Sequence, residues 1–302
     1  MSPKALVIGE ALVDIVVTGD GEREIPGGSP ANVALTLGRL GRAAELVTWL
    51  ANDERGRKVA DHIRASQVTI TEGSFGADRT STARATIDES GAATYEFDLT
   101  WKVPPIDIDS STIVAHSGSI AATLEPGGTA VVDALTRARP HATITYDPNA
   151  RPSIMGDPEK ALRRVEEIVS LSDVVKVSDE DIFWLTVGKS VEDTAARWLE
   201  RGASLVVVTR GADGATAFFA GGSENIGVPP VDVVDTVGAG DSFMGGLIDA
   251  LWSEDLLGAA RRKQLATIDR DTVTRILERA SAVSTITVSR AGANPPWADE
   301  LD

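Results

Sequence analysis

The chain has 302 residues, 42% of them hydrophobic and 25% charged, and it contains no cysteine. This length suits one large α/β domain or two modest ones, and the lack of cysteine excludes disulfides, thiolate metal sites and cysteine nucleophiles. A formal net charge of −16 argues against nucleic acid or an anionic membrane as a partner.

The opening stretch MSPKALVIGEALVDIVV reads as a buried strand at Ala5–Ile8. It has neither the basic n-region nor the small-residue cleavage site of a signal peptide. No apolar run approaches the roughly 18 residues of a membrane span, so a cytoplasmic protein is expected. Val13–Val17 continues the first strand into DIVVTGDGEREIP. The next segment, GGSPANVALTLGRLG at 27–41, reads as a helix over Pro30–Leu40, with Ser29 as N-cap, Pro30 as first helical residue and Gly41 at C′. Val33, Leu37 and Leu40 share one face. Gly27 and Gly28 let a ligand approach the backbone closely, and Asn32 points a donor and an acceptor at the same space. Capped-helix chemistry alone also accounts for the stretch.

A helix follows at Arg55–Ala65. Ser81–Ile87 and Ala93–Leu99 then flank DESG with the alternation of a hairpin. With Val13–Val17 they form a small β-sheet, spanning about 13–26 and 74–103, that projects as a lid or a dimer contact. Strands at Thr112–His116, Thr143–Tyr146, Val174–Val177 and Leu205–Thr209 are short and apolar on both faces. They alternate with helices at Thr129–Ala138, Pro158–Ser170, Glu180–Leu185 and Glu192–Arg201. Such alternation predicts a mostly parallel sheet covered on both sides, in one domain over 1–302.

DTVGAGDSF, residues 235–243, is the sharpest local signal. Val231–Val234 reads as a strand end and Ser242–Leu251 as a helix, so Gly238-Ala239-Gly240-Asp241 forms a strand-to-helix turn whose N–H groups make an anion hole. Three other readings fail. Phe243 stands where a dinucleotide fingerprint needs its third glycine. Phe183 stands where a P-loop ending in Gly188-Lys189-Ser190 needs its first. A serine esterase built on Gly240-Asp241-Ser242 needs a later histidine, yet His62, His116 and His141 all precede it. None of the three histidines has metal-ligand spacing.

With both Gly-rich segments in place, the chain resembles the ribokinase/pfkB carbohydrate kinases over nearly its whole length. The resemblance is carried by GGSPANVALTLGRLG, LANDERGRKVADHIRASQVTI, YDPNARPSIM, KVSDEDIFWL, VVVTRGADGA and, most specifically, DTVGAGDSFMGGL. PGGSPANVA, DPNxR and KVSDED look most like the fructokinase branch. The resemblance implies a three-layer α/β sandwich with a β-sheet lid, and phosphoryl transfer from ATP, with Mg²⁺, to a sugar hydroxymethyl group.

Carried over by position, Asp241 is the base, and Gly238, Ala239 and Gly240 supply the anion hole. Asp14, Gly27, Gly28 and Asn32 match sugar-binding positions. Ser178, Thr209, Gly211, Gly214, Gly240 and Gly292 match the nucleotide side. Asp235 and the Val237 backbone face a monovalent-cation site suited to K⁺. Many members carry Asn-x-x-Glu where this chain has Ser178-Asp179-Glu180-Asp181, which leaves Asp181 or Glu180 for the Mg²⁺ side.

Fructose is the leading substrate. Arg151 occurs in both fructokinase-like and 2-keto-3-deoxygluconate kinase-like members, so a sugar acid is an alternative. Arg84, Lys102 and Arg151 are the candidates for holding a substrate anion. A non-catalytic sugar- or nucleotide-binding regulator is the alternative of another class. Pairing of lid edges would give a homodimer.

Overall fold

The computed structural model describes residues 2–19, 21–87 and 93–301. In chain order it contains β1 (Lys4–Ile8), β2 (Leu12–Thr18), β3 (Gly21–Gly27), α1 (Ser29–Arg39), β4 (Ala44–Val47), α2 (Glu54–Ala65) and β5 (Thr69–Ile70). There follow β6 (Thr82–Ile87), β7 (Ala93–Asp98), β8 (Thr112–Gly118), α3 (Gly127–Ala138), β9 (Thr143–Asp147), α4 (Pro152–Met155), α5 (Pro158–Val169), β10 (Val174–Ser178), α6 (Asp179–Leu185) and α7 (Val191–Glu200). The last part holds β11 (Leu205–Thr209), β12 (Ala215–Phe219), β13 (Gly222–Ile226), α8 (Ala239–Ser253), α9 (Arg262–Ala266) and α10 (Arg270–Val288).

One sheet of nine strands runs β13-β12-β11-β10-β9-β8-β1-β4-β5. It is parallel from β11 to β5, and β12 and β13 add an antiparallel edge. Successive residues of its strands feed two different cores, as a doubly covered sheet requires. Ala5 and Val7 pack with residues of α1, α2, α8 and α10, whereas Leu6 and Ile8 pack with residues of α3, α5, α6 and α7. These are the three layers expected from the alternation of strands and helices.

The second sheet has the order β3-β2-β6-β7 and forms the expected lid. It is fastened to the body through α2, where Arg55 and Lys58 pair with Glu24 of β3. The DESG turn of its hairpin lies outside the described residues. The chain leaving the lid is anchored by Trp101, which is 3% exposed and donates from Nε1 to the Ala121 carbonyl at 2.9 Å. Trp101→Ala is expected to cost about 3–5 kcal/mol through the cavity it opens. A thermal melt should show the loss.

The expected strand end at Val231–Val234 is absent. The segment follows Pro229-Pro230, which lack ladder donors, and its backbone tie is Val234 N–H to the Val288 carbonyl at the end of α10. The turn before α8 is therefore loop-to-helix. Among the described residues no helix is long and apolar enough to cross a membrane.

Candidate active site

The turn into α8 is closed by Gly238, the N-cap, at φ 76. A Cβ there would also lie 2.5 Å from Ala293 Cβ in the C-terminal segment. The anion hole differs in one member from the expected set. The Ala239 N–H is taken by the Thr236 carbonyl at 3.2 Å. Among the described residues the N–H groups of Gly238, Gly240 and Asp241 have no protein acceptor, and they stand at the positive end of a 15-residue helix.

Asp241 is 7% exposed and accepts three side-chain hydrogen bonds. Ser29 Oγ donates at 2.7 Å, Asn32 Nδ2 at 2.8 Å and Asn149 Nδ2 at 3.2 Å. Ser29 is not the helix cap that its position before Pro30 suggests. Gly28 takes the N-cap at φ 111, so Ser29 is already helical and its hydroxyl is free to reach Asp241, 212 residues away. A Cβ on Gly28 would meet the Glu10 carbonyl at 2.4 Å. Asn149 comes from the loop after β9, inside the DPN motif, and sequence reasoning did not single it out.

Asp14 projects from β2 on the same side as this group. Burial pushes its carboxyl up to about 6, with Arg151 pulling it down and Asp241 pushing it further up. Gly27 is in register with Leu12 on β2, two residues before Asp14, and a Cβ on Gly27 would lie 2.1 Å from Asp14 Oδ2. Asp14 is thus ionised and able to accept from hydroxyl groups at neutral pH, and protonated as pH falls below about 6. The sugar KM is expected to rise through that window while the nucleotide KM holds, as a pH series of initial rates would register.

Arg151 is exposed and leans on its own loop, donating to the Asn149 carbonyl at 3.1 Å and to Asn149 Oδ1 at 2.7 Å. Arg84 corrects the expectation of a substrate contact. Its register partner on β2 is Ile15, so it occupies the lid face opposite Asp14, and it pairs with Glu22 at 3.0 Å.

Under the turn, Lys176 of β10 is 3% exposed and bonds Asp147 Oδ2 at 3.0 Å. Burial pushes Asp147 up to about 6 against the pull of Lys176. Neither residue was singled out from sequence; only the β9–β10 register brings them together. Ser178 caps α6 through its Oγ, which accepts from the Asp181 N–H at 3.0 Å. Asp181 turns inward, its Oδ1 accepting from the Ala150 N–H at 3.1 Å, and burial raises its carboxyl against the pull of Lys176. Glu180 faces solvent. Among the described residues no group of three or more His, Asp or Glu could hold a metal on its own.

Beyond the turn lies a cavity of about 470 Å³, lined by Thr209, Gly211, Gly214, Ala239, Gly240 and Phe243 and by apolar residues of the 226–233 loop. Its volume and apolar walls are those of a small-molecule site. Asp235 fastens its rim, accepting from the Val237 N–H at 3.0 Å and the Gly292 N–H at 2.8 Å. Those two donors hold its carboxyl below the usual range. The residues expected on the nucleotide side and those expected on the sugar side therefore meet at Asp241.

A pfkB family carbohydrate kinase model matches residues 3–300. The chain belongs to this family. It is a carbohydrate kinase, transferring phosphate to an alcohol group. A fructokinase of Rhizobium leguminosarum bv. trifolii is 33% identical over 278 residues, 87% of this chain and 83% of that one. A probable fructokinase-2 of Arabidopsis thaliana is 32% identical across 97% of this chain and 92% of its own. Among solved structures, a fructokinase with bound ATP from Xylella fastidiosa has a TM-score of 0.86 at 24% identity, covering 100% of this chain and 97% of that one, and shares the fold. A Vibrio cholerae O395 fructokinase in a fructose-, ADP- and calcium-bound form has a TM-score of 0.76 at 26% identity, with 96% and 94% covered. The Rhizobium and Arabidopsis relatives support the fructokinase-like branch of the family.

Proposed function

We propose that this carbohydrate kinase is a fructokinase that converts fructose and ATP to fructose 6-phosphate and ADP. The observation that carries the reading is Asp241. It is a carboxylate held by three donors at a helix N-terminus, between the Asp14 pocket and the nucleotide cavity. Asp14 and Asn32 orient the sugar so that one hydroxyl faces Asp241. As the sugar oxygen bonds to the γ-phosphorus, Asp241 takes the hydroxyl proton. The bond from phosphorus to the bridging oxygen breaks, and ADP leaves with that electron pair. The N–H groups of Gly238, Gly240 and Asp241 meet the charge on the phosphoryl oxygens. The lid keeps water from competing as acceptor.

One carboxylate plus phosphate oxygens suits Mg²⁺, which keeps several waters. Asp181 would hold it, and the ion would neutralise phosphate charge. Asp235, the Val237 backbone and Gly292 would hold K⁺. A cytoplasmic homodimer completes the proposal. The lid face that carries Asp14 also exposes Tyr95 and Phe97, 60% and 37% accessible, on edge strand β7. Light scattering that finds only monomer at micromolar concentration would count against the dimer.

Arg151 supports a second reading. An exposed guanidinium within electrostatic range of Asp14 suits the carboxylate of a sugar acid. A panel of fructose, ribose, an aminoimidazole riboside and 2-keto-3-deoxygluconate, followed by ADP release, separates the two. Fructose-dependent turnover in excess of the rest supports the proposal. Turnover with the sugar acid alone replaces it, and binding without turnover removes both.

A further inference from the structure

The sheet face beneath α8 is largely apolar but carries a buried polar stripe. His116, Thr145, Asp147 and Lys176 all lie on it, because Thr145 is in register with His116 on one side and with Val174 on the other. His116 bonds Thr145 at 3.0 Å, and Lys176 ends the stripe directly under the catalytic turn. Burying an ammonium is costly unless it is fully paired. Lys176 has three N–H donors, and among the described residues its one hydrogen-bond partner is Asp147 Oδ2.

The direction of the remaining donors follows from Gly240. A Cβ on that residue would lie 2.8 Å from Lys176 Nζ. The missing side chain therefore lets the ammonium sit against the backbone of the turn, at the residue that both belongs to the anion hole and lines the nucleotide cavity. Burial opposes the charge on Lys176, but Asp147, with Asp181 and Asp241 adding to it, raises its proton affinity above the ordinary lysine value. It is a fixed cation at neutral pH.

We propose that Lys176 is a catalytic residue: its ammonium, held in place by Asp147, donates to the phosphoryl group as that group passes from ATP to the sugar oxygen. The inference rests on the sugar-kinase reading and deepens it. Three carboxylates act on the ammonium, Asp147 by contact and Asp181 and Asp241 through their charge, and the arriving phosphates add more negative charge. The backbone N–H groups carry only partial charges. A buried ammonium supplies a whole one where the transferring oxygens gather negative charge, at a point shielded from solvent.

Lys176→Met tests this. Turnover should fall about 10²–10³-fold, the usual loss for removing one such donor, while the KM values for ATP and sugar stay within about threefold. Binding of ADP with aluminium fluoride and sugar, a mimic of the transferring group, should weaken in parallel with turnover. Binding of a non-hydrolysable ATP analogue should not.

The single change leaves Asp147 buried without its partner, so Asp147→Asn/Lys176→Met is made beside it to remove both charges. If Lys176 only neutralises Asp147, the double variant regains both melting temperature and turnover, and the proposal is overturned. If the proposal holds, stability returns and turnover does not. Wild-type turnover in Lys176→Met also overturns it. The comparison is run with whichever sugar the wild type phosphorylates, so a different sugar in the panel displaces the fructose reading and leaves this test intact.

Discussion

Replacing Asp241 by asparagine should lower turnover by about 10²–10⁴, the range for loss of a general base, and should leave sugar and ATP affinity nearly unchanged. The substitution keeps shape and volume. Asn32 can turn its amide to present an oxygen to the new NH₂, and Ser29 and Asn149 can keep donating to the remaining oxygen. What is lost is basicity, since an amide does not take a proton near neutral pH. Single-turnover kinetics with saturating sugar isolate that step. A variant that binds both substrates and turns over at the wild-type rate removes Asp241 from the chemistry.

The second large effect is expected from Gly27→Ala. An alanine methyl there and the Asp14 carboxylate cannot share the same space, because the Cβ would lie 2.1 Å from Oδ2. Asp14 has to swing out of the pocket. A hydrogen bond to a charged group is worth about 1.5–3 kcal/mol, so the sugar KM should rise about 10–100-fold. The nucleotide KM should hold, since Gly27 lies at the end of β3 and away from the nucleotide cavity. Because the methyl acts through Asp14, Asp14→Ala/Gly27→Ala should be no worse than Asp14→Ala alone. An additive double variant would mean that Gly27 acts on the backbone of the pocket instead.

Much of the body was legible because its parallel strands are apolar on both faces and its helices begin at local caps. The misses have physical causes. β5 has two residues and β4 four, too few for a periodic signal. α10 was not anticipated, because its last turns, ending in Thr285-Ile286-Thr287-Val288, are rich in β-branched residues that read as strand. Val231–Val234 also reads as strand, but lies along the cavity of about 470 Å³.

The site was legible where a motif is local, as in GAGD, and illegible where an acceptor is distant. Ser29 before Pro30 has every mark of a cap, and only the packing of α1 beside α8 reveals Asp241 as its partner. Lys176 looks like a charge in a strand until register sets it beside Asp147. Arg84 shows the converse: the sequence offers it as a cation for a substrate anion, and strand parity turns it to the far side of the lid.

The account's central claim is that Asp241 accepts the proton of a sugar hydroxyl while phosphate moves from ATP to that oxygen. The most direct measurement is phosphorus NMR of wild-type protein with ATP, Mg²⁺ and fructose, run beside Asp241→Asn at equal concentration. The expected result is a fructose 6-phosphate signal growing in step with ADP in the wild type and nearly absent in the variant. ADP appearing with inorganic phosphate alone, or the sugar phosphate forming equally in both, would contradict it.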